Sequence, residues 1–109
     1  MDAVKFHAAN ESFSHRVAKL VICNLLTEAG HHFKTEQPIN EAVCDVIDLD
    51  TFVIYEIESH ANSTIIKRKL DDFLHPLIED LIVVDLRKMD IDWEPIFMLR
   101  DKIRKFCAL

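Results

Sequence analysis

The sequence predicts an α/β domain with a mixed central sheet of about four strands flanked by helices, in the order α-β-β-β-α-β-α. Three observations predict it. Apolar residues recur at helical spacing near the start and the end of the chain. Two runs rich in β-branched and aromatic residues, Ala42 to Leu49 and Phe52 to Ser59, stand either side of a tight Asp50-Thr51 turn. Leu81-Ile82-Val83-Val84, between Asp80 and Asp85, has the continuous apolar character of a buried parallel strand. The 109 residues, 50% of them apolar, fit one domain over residues 1–109.

The first helix is expected from Glu11 or Ser14 to Ala29, with Val17, Leu20, Val21 and Leu25, and Cys23 or Leu26, turned inward. Ser12 or Ser14 caps its start, and Gly30 suits the left-handed position past its end. A short strand near His31 to Gln37 follows, ended by Pro38. The second helix starts among Asn62, Ser63 and Thr64, presents Ile66, Leu70, Phe73 and Leu74 as its apolar stripe, and stops before Pro76. The last helix begins around Pro95 with Ile96, Leu99, Ile103 and Phe106 inward.

Composition excludes several classes. No apolar run approaches the ~20 residues of a membrane span, and the N-terminal MDAVKFHAANES lacks the long apolar core of a secretory signal. Cys23, Cys44 and Cys107 are far apart and form no CxxC pair, so they are expected to be reduced core residues in a cytoplasmic protein. A net charge of −6 argues against a purely electrostatic nucleic-acid binder. No glycine-rich loop supports nucleotide binding. The neighbouring His31 and His32 fall on opposite faces of a strand and cannot form a compact zinc site alone.

The hairpin carries the chemistry. If Asp50-Thr51 is a two-residue turn, Leu49 faces Phe52, Ile47 faces Ile54 and Asp45 faces Glu56, with Glu58 one step further on the same face. Opposed residues have β-carbons ~5 Å apart, and two like charges there repel by about 3 kcal/mol at an effective dielectric near 20. A bound cation, a raised pKa or a basic neighbour must offset that. Clustered carboxylates suit a hard oxygen-seeking ion, Mg²⁺ or Mn²⁺. The plainer reading is a frayed, solvated sheet edge.

The element order and the hairpin VCDVIDLDTFVIYEIES resemble the PD-(D/E)XK nuclease superfamily, whose fold is restriction-endonuclease-like; the resemblance covers residues 11 to 86. In that family an Asp on the second core strand and an acid-x-Lys on the third bind metal and activate water. Asp45 matches the first acid and Glu56 the second, while Glu58 stands where lysine is usual, a variant that some restriction enzymes of the superfamily share. The resemblance implies a further acid from the first helix or nearby, with Glu11, Glu28 and Glu36 as candidates and Glu36 the easiest to place. It also implies a basic residue on the following helix, Lys67 or Lys69, to hold phosphate. The implied activity is metal-dependent hydrolysis of DNA phosphodiester bonds, with Asp45, Glu56 and Glu36 holding Mg²⁺ (or Mn²⁺) and Glu58 orienting water or acting as general base.

Two rival expectations stand beside it. One is a catalytically decayed module of the same fold that binds DNA or protein without cleaving. The other is an interaction protein in which the acids are incidental. A homodimer is also expected, through the last helix with Trp93, Phe97 and Phe106 nearby.

Overall fold

The structure, a computed structural model, describes residues 1–7 and 11–109. Its elements are α1 (Phe13–Glu28), β1 (Phe33–Ile39), β2 (Ala42–Asp48), β3 (Val53–Glu58), α2 (Ser63–Asp72), β4 (Asp80–Asp85), a 3₁₀ turn (Leu86–Met89) and α3 (Glu94–Cys107). The four strands form one mixed sheet in the order β1-β2-β3-β4, antiparallel except for the parallel β3–β4 pair. The expected α/β order holds throughout.

Local signals act where they stand. Ser12 caps α1 by accepting the His15 N–H, and Asn62 caps α2 by accepting the Ile65 N–H. Gly30 has φ +77, the left-handed conformation expected past α1. Pro38 does not end β1 but pairs with Val43 inside it; on an edge strand the missing N–H costs no ladder bond.

Phe33, Val46, Cys23 and Leu26 make the core between the sheet and α1. Cys44, Ile47, Ile54 and Phe73 make the core toward α2. Cys107, expected in a core, is exposed near the chain end. β4 is parallel as expected but is an edge strand, not a buried one, with Ile82 open to solvent.

The inward faces of the helices differ from the apolar stripes. α1 buries Lys19, Cys23 and Leu26, while Leu20, Val21 and Leu25 are exposed. α2 turns Lys69 and Phe73 to the core and leaves Ile66, Leu70 and Leu74 outside. α3 buries no residue at all, so Leu99, Ile103 and Phe106 do not face inward as expected.

Candidate functional site

The β2–β3 register places Val46 opposite Tyr55 and Ile47 opposite Ile54, the register the sequence predicts. The turn that sets it is longer than two residues. Phe52 donates its N–H to the Asp48 carbonyl at 2.8 Å and adopts φ +57, so Leu49 and Phe52 lie outside the strands and do not pair. Buried Asp48 holds this turn: its Oδ1 accepts the Asp50 and Thr51 N–H groups, and its Oδ2 lies 2.7 Å from His31 Nδ1. His31, Asp48 and Asp50 are the one group among the described residues that brings three ligand atoms within 4.8 Å. Asp50 Oδ2 in turn accepts the His32 N–H. These hydrogen bonds account for the group as turn architecture.

Away from the turn, the paired backbones of β2 and β3 give way to side chains. Glu56 Oε2 accepts the Asp45 N–H at 2.6 Å, and Asp45 Oδ2 accepts the Ile57 N–H at 2.8 Å. On the other side of β2, pairing with β1 is interrupted between Thr35↔Val46 and Gln37↔Cys44. Glu36, the β1 residue in that gap, has φ +52, an unfavourable region for a residue with a β-carbon. Asp45 therefore sits at a local break in the sheet on both of its edges.

Cations from both helices meet the acids at this break. Lys69 Nζ lies 2.8 Å from Glu56 Oε1 and 2.9 Å from Glu58 Oε1. His15 Nε2 lies 3.4 Å from Asp45 Oδ2, and its Nδ1 contacts Glu11 Oε1 at 2.5 Å. Lys19, wholly buried, reaches Glu11 Oε1 at 2.9 Å, Glu36 Oε1 at 2.6 Å and the Lys5 carbonyl at 3.1 Å. Five carboxylates thus share two ammoniums and one imidazole.

The charge states follow from these contacts. Burial, then repulsion from Asp45, pushes the Glu56 carboxyl up to about 7 despite Lys69. Burial would raise Asp45 too, but hydrogen bonds from His15 and the Ile57 N–H more than offset it and hold the group below its ordinary value. Burial opposes the charge of Lys19 and Lys69, yet their carboxylate partners raise both above the ordinary lysine value.

The expected site residues are therefore gathered, with changes. Asp45, midway along β2, is engaged from α1, whereas Glu56 and Glu58, toward the end of β3, are engaged from α2 through Lys69, so the three are not held on one face as the strand alternation predicts. Glu36 is held by Lys19, and it does not join Asp45 and Glu56 in a group of three closely spaced ligand atoms. Glu11 belongs to the cluster, whereas Glu28 is exposed beside Asn24. Lys69 is in the site; Lys67, two positions and about 200° round the helix, is exposed.

His15 and Lys19 are new. Their signal is spacing: Glu11, His15 and Lys19 follow at intervals of four, in line with Cys23, so a polar stripe runs into the core face of α1. Lys69 likewise sits four residues before buried Phe73.

The donor set is of the oxygen type that suits a hard divalent cation, but among the described residues it brings no three ligand atoms within 4.8 Å of one another. It is rich in carboxylate oxygen and short of positive charge, and Asp45 has no ammonium in contact. A further buried oxygen, Asp85 Oδ2, has no hydrogen-bond partner, and Asp85 is paired in register with Glu58 on the neighbouring strand. The chain matches no known family, no curated protein and no solved structure.

Proposed function

We propose that this protein is a metal-dependent nuclease of restriction-endonuclease-like fold that hydrolyses DNA phosphodiester bonds. The observation that carries the reading is the break in the sheet where the Asp45 and Glu56 carboxylates each accept a backbone N–H of the other's strand, with Lys69 against Glu56. Asp45 and Glu56 would hold Mg²⁺ or Mn²⁺, which supplies positive charge at the scissile phosphate and acidifies the attacking water. Lys69 stands in for the lysine that Glu58 replaces on the strand, because its ammonium lies beside Glu56 although it comes from α2. Glu58 positions Lys69 and would orient the attacking water or accept its proton as general base. Lys69 pairs with the phosphate when DNA arrives, releasing one of its two carboxylates.

The test is cleavage of single-stranded, branched and duplex DNA with Mg²⁺ or Mn²⁺ and with chelator. Thermal melting with and without the ion runs in parallel, since binding to the folded state raises the melting temperature. Absence of both cleavage and a metal-dependent shift would end the nuclease reading.

One observation favours a second reading, a decayed module that binds DNA or protein without cutting. Lys69 and His15 already contact the acids that would hold the ion. That module would bind its partner equally well in chelator.

A further inference from the structure

Two apolar surfaces of this chain lie uncovered. The first is a groove of about 410 Å³ over the α1 side of the sheet. Val17, Val21 and Leu25 form one bank, Ile82 and Met89 the other, and Tyr55 lines the space between. Val21 and Leu25 are 52% and 56% exposed, so the apolar stripe of α1 is spent on this groove. The second surface is the outer part of α3, where Leu99, Ile103 and Phe106 are 59%, 52% and 93% exposed. Only the beginning of α3 is anchored: the Phe97 ring lies 5.2 Å from Phe13, and the Arg100 guanidinium covers both rings. The radius of gyration, 15.0 Å, exceeds the roughly 13 Å of a compact chain of this length, as a projecting helix requires.

We infer that α3 of a second copy lies in this groove, and that the exchange is reciprocal, giving a two-fold dimer. Like surfaces then meet like partners about one axis, which is how a single chain closes a symmetric interface. The dimensions agree. Leu99 to Phe106 spans about 10 Å of helix, and Val17 to Leu25, along the groove, spans about 12 Å. Apolar residues at these intervals form the stripe that a helix presents to a groove.

The charges agree as well. α3 carries Arg100, Lys102, Arg104 and Lys105 against Glu94 and Asp101, whereas residues 1–93 carry nine basic and seventeen acidic side chains. Exposed Asp90 and Asp92, either side of the groove residue Ile91, face that excess. The helix cannot fill its own groove. Ile96, in its first turns, already lines one end, and α3 continues unbroken from there to Cys107.

Light scattering tests the association, and Cys107, the one exposed cysteine, tests its geometry. A benzophenone maleimide on Cys107 is photolysed in a mixture of ordinary and ¹⁵N-labelled protein. The expected result is a dimer at micromolar concentration, with adducts joining the label of one isotope to residues 17–25 or 82–91 of the other. Leu25→Glu and Ile103→Glu, both at exposed positions, should each give folded monomer by circular dichroism, while Leu70→Glu on the exposed stripe of α2 leaves the dimer intact. A wild-type monomer at high micromolar concentration overturns the proposal. So do adducts confined to one chain, adducts on α2, or a dimer sensitive to Leu70→Glu alone.

Discussion

Glu56 and Asp45 exchange places with the backbone: the Glu56 carboxylate takes the Asp45 N–H, and the Asp45 carboxylate takes the N–H of Ile57. Two acids thereby replace ladder bonds at the end of a hairpin. Their opposite pKa directions make the two substitutions distinguishable.

Glu56→Gln and Asp45→Asn should both abolish Mg²⁺-dependent cleavage, but only one should weaken the fold. The Glu56 carboxyl is raised to about 7 from 4.5, so its ionised form is disfavoured in the folded state. Its contribution to stability therefore falls as pH rises from 4.5 to about 7. In chelator, urea unfolding should show Glu56→Gln gaining on the wild type between pH 5 and pH 8, by on the order of 1–3 kcal/mol. Asp45, held below its ordinary value, contributes stability above that value, and Asp45→Asn should lose it at pH 8.

Lys69→Met should cost about 3–5 kcal/mol, the toll for leaving buried carboxylates without their cation. Mg²⁺ should then raise the melting temperature of Lys69→Met more than that of the wild type, because the ion meets a less neutralised site. Lys67→Ala, on the exposed side, should change stability by no more than about 0.5 kcal/mol. Equal losses in the two variants would remove Lys69 from the site.

Asp48→Asn should loosen the β2–β3 turn by about 1–3 kcal/mol, since it weakens bonds to the Asp50 and Thr51 N–H groups and to His31. Burial would raise the Asp48 carboxyl, but His31 and those N–H groups bring it below 3.8. The stability it contributes is present above that value and disappears as pH falls through the lower folded-state pKa. Acid titrations of wild type and variant should therefore converge at the lowest pH.

The hairpin register, read from a two-residue Asp50-Thr51 turn, survives the longer turn because Leu49 and Phe52 leave the strands together, one from each side, and the period of two then keeps Ile47 opposite Ile54. The turn itself was not legible, since a left-handed Phe52 leaves no signature in a sequence. The helix faces misled for a different reason. Periodicity assumes that the apolar side of a helix goes inward, and here the carboxylates at the break in the sheet draw Lys19 and Lys69 inward instead. Val21, Leu25, Leu70 and Leu74 are left facing out. Polar residues in phase with a core, such as His15 and Lys19 ahead of Cys23, were the readable trace of this arrangement.

The first seven residues form no helix or strand, yet they are stitched to the body at each step. Asp2 accepts the Phe33 N–H, Lys5 donates its N–H to Thr35 Oγ1, the Lys5 carbonyl takes a bond from Lys19, and the His7 N–H binds Glu11. Trimming this stretch would unroof Lys19 and let water reach an ammonium that is otherwise sealed. Met1 is 70% exposed, so lengthening the chain there leaves those bonds alone. For anyone preparing the protein, the start of the chain should tolerate extension better than shortening, since a cut after His7 would free the residues that cover Lys19.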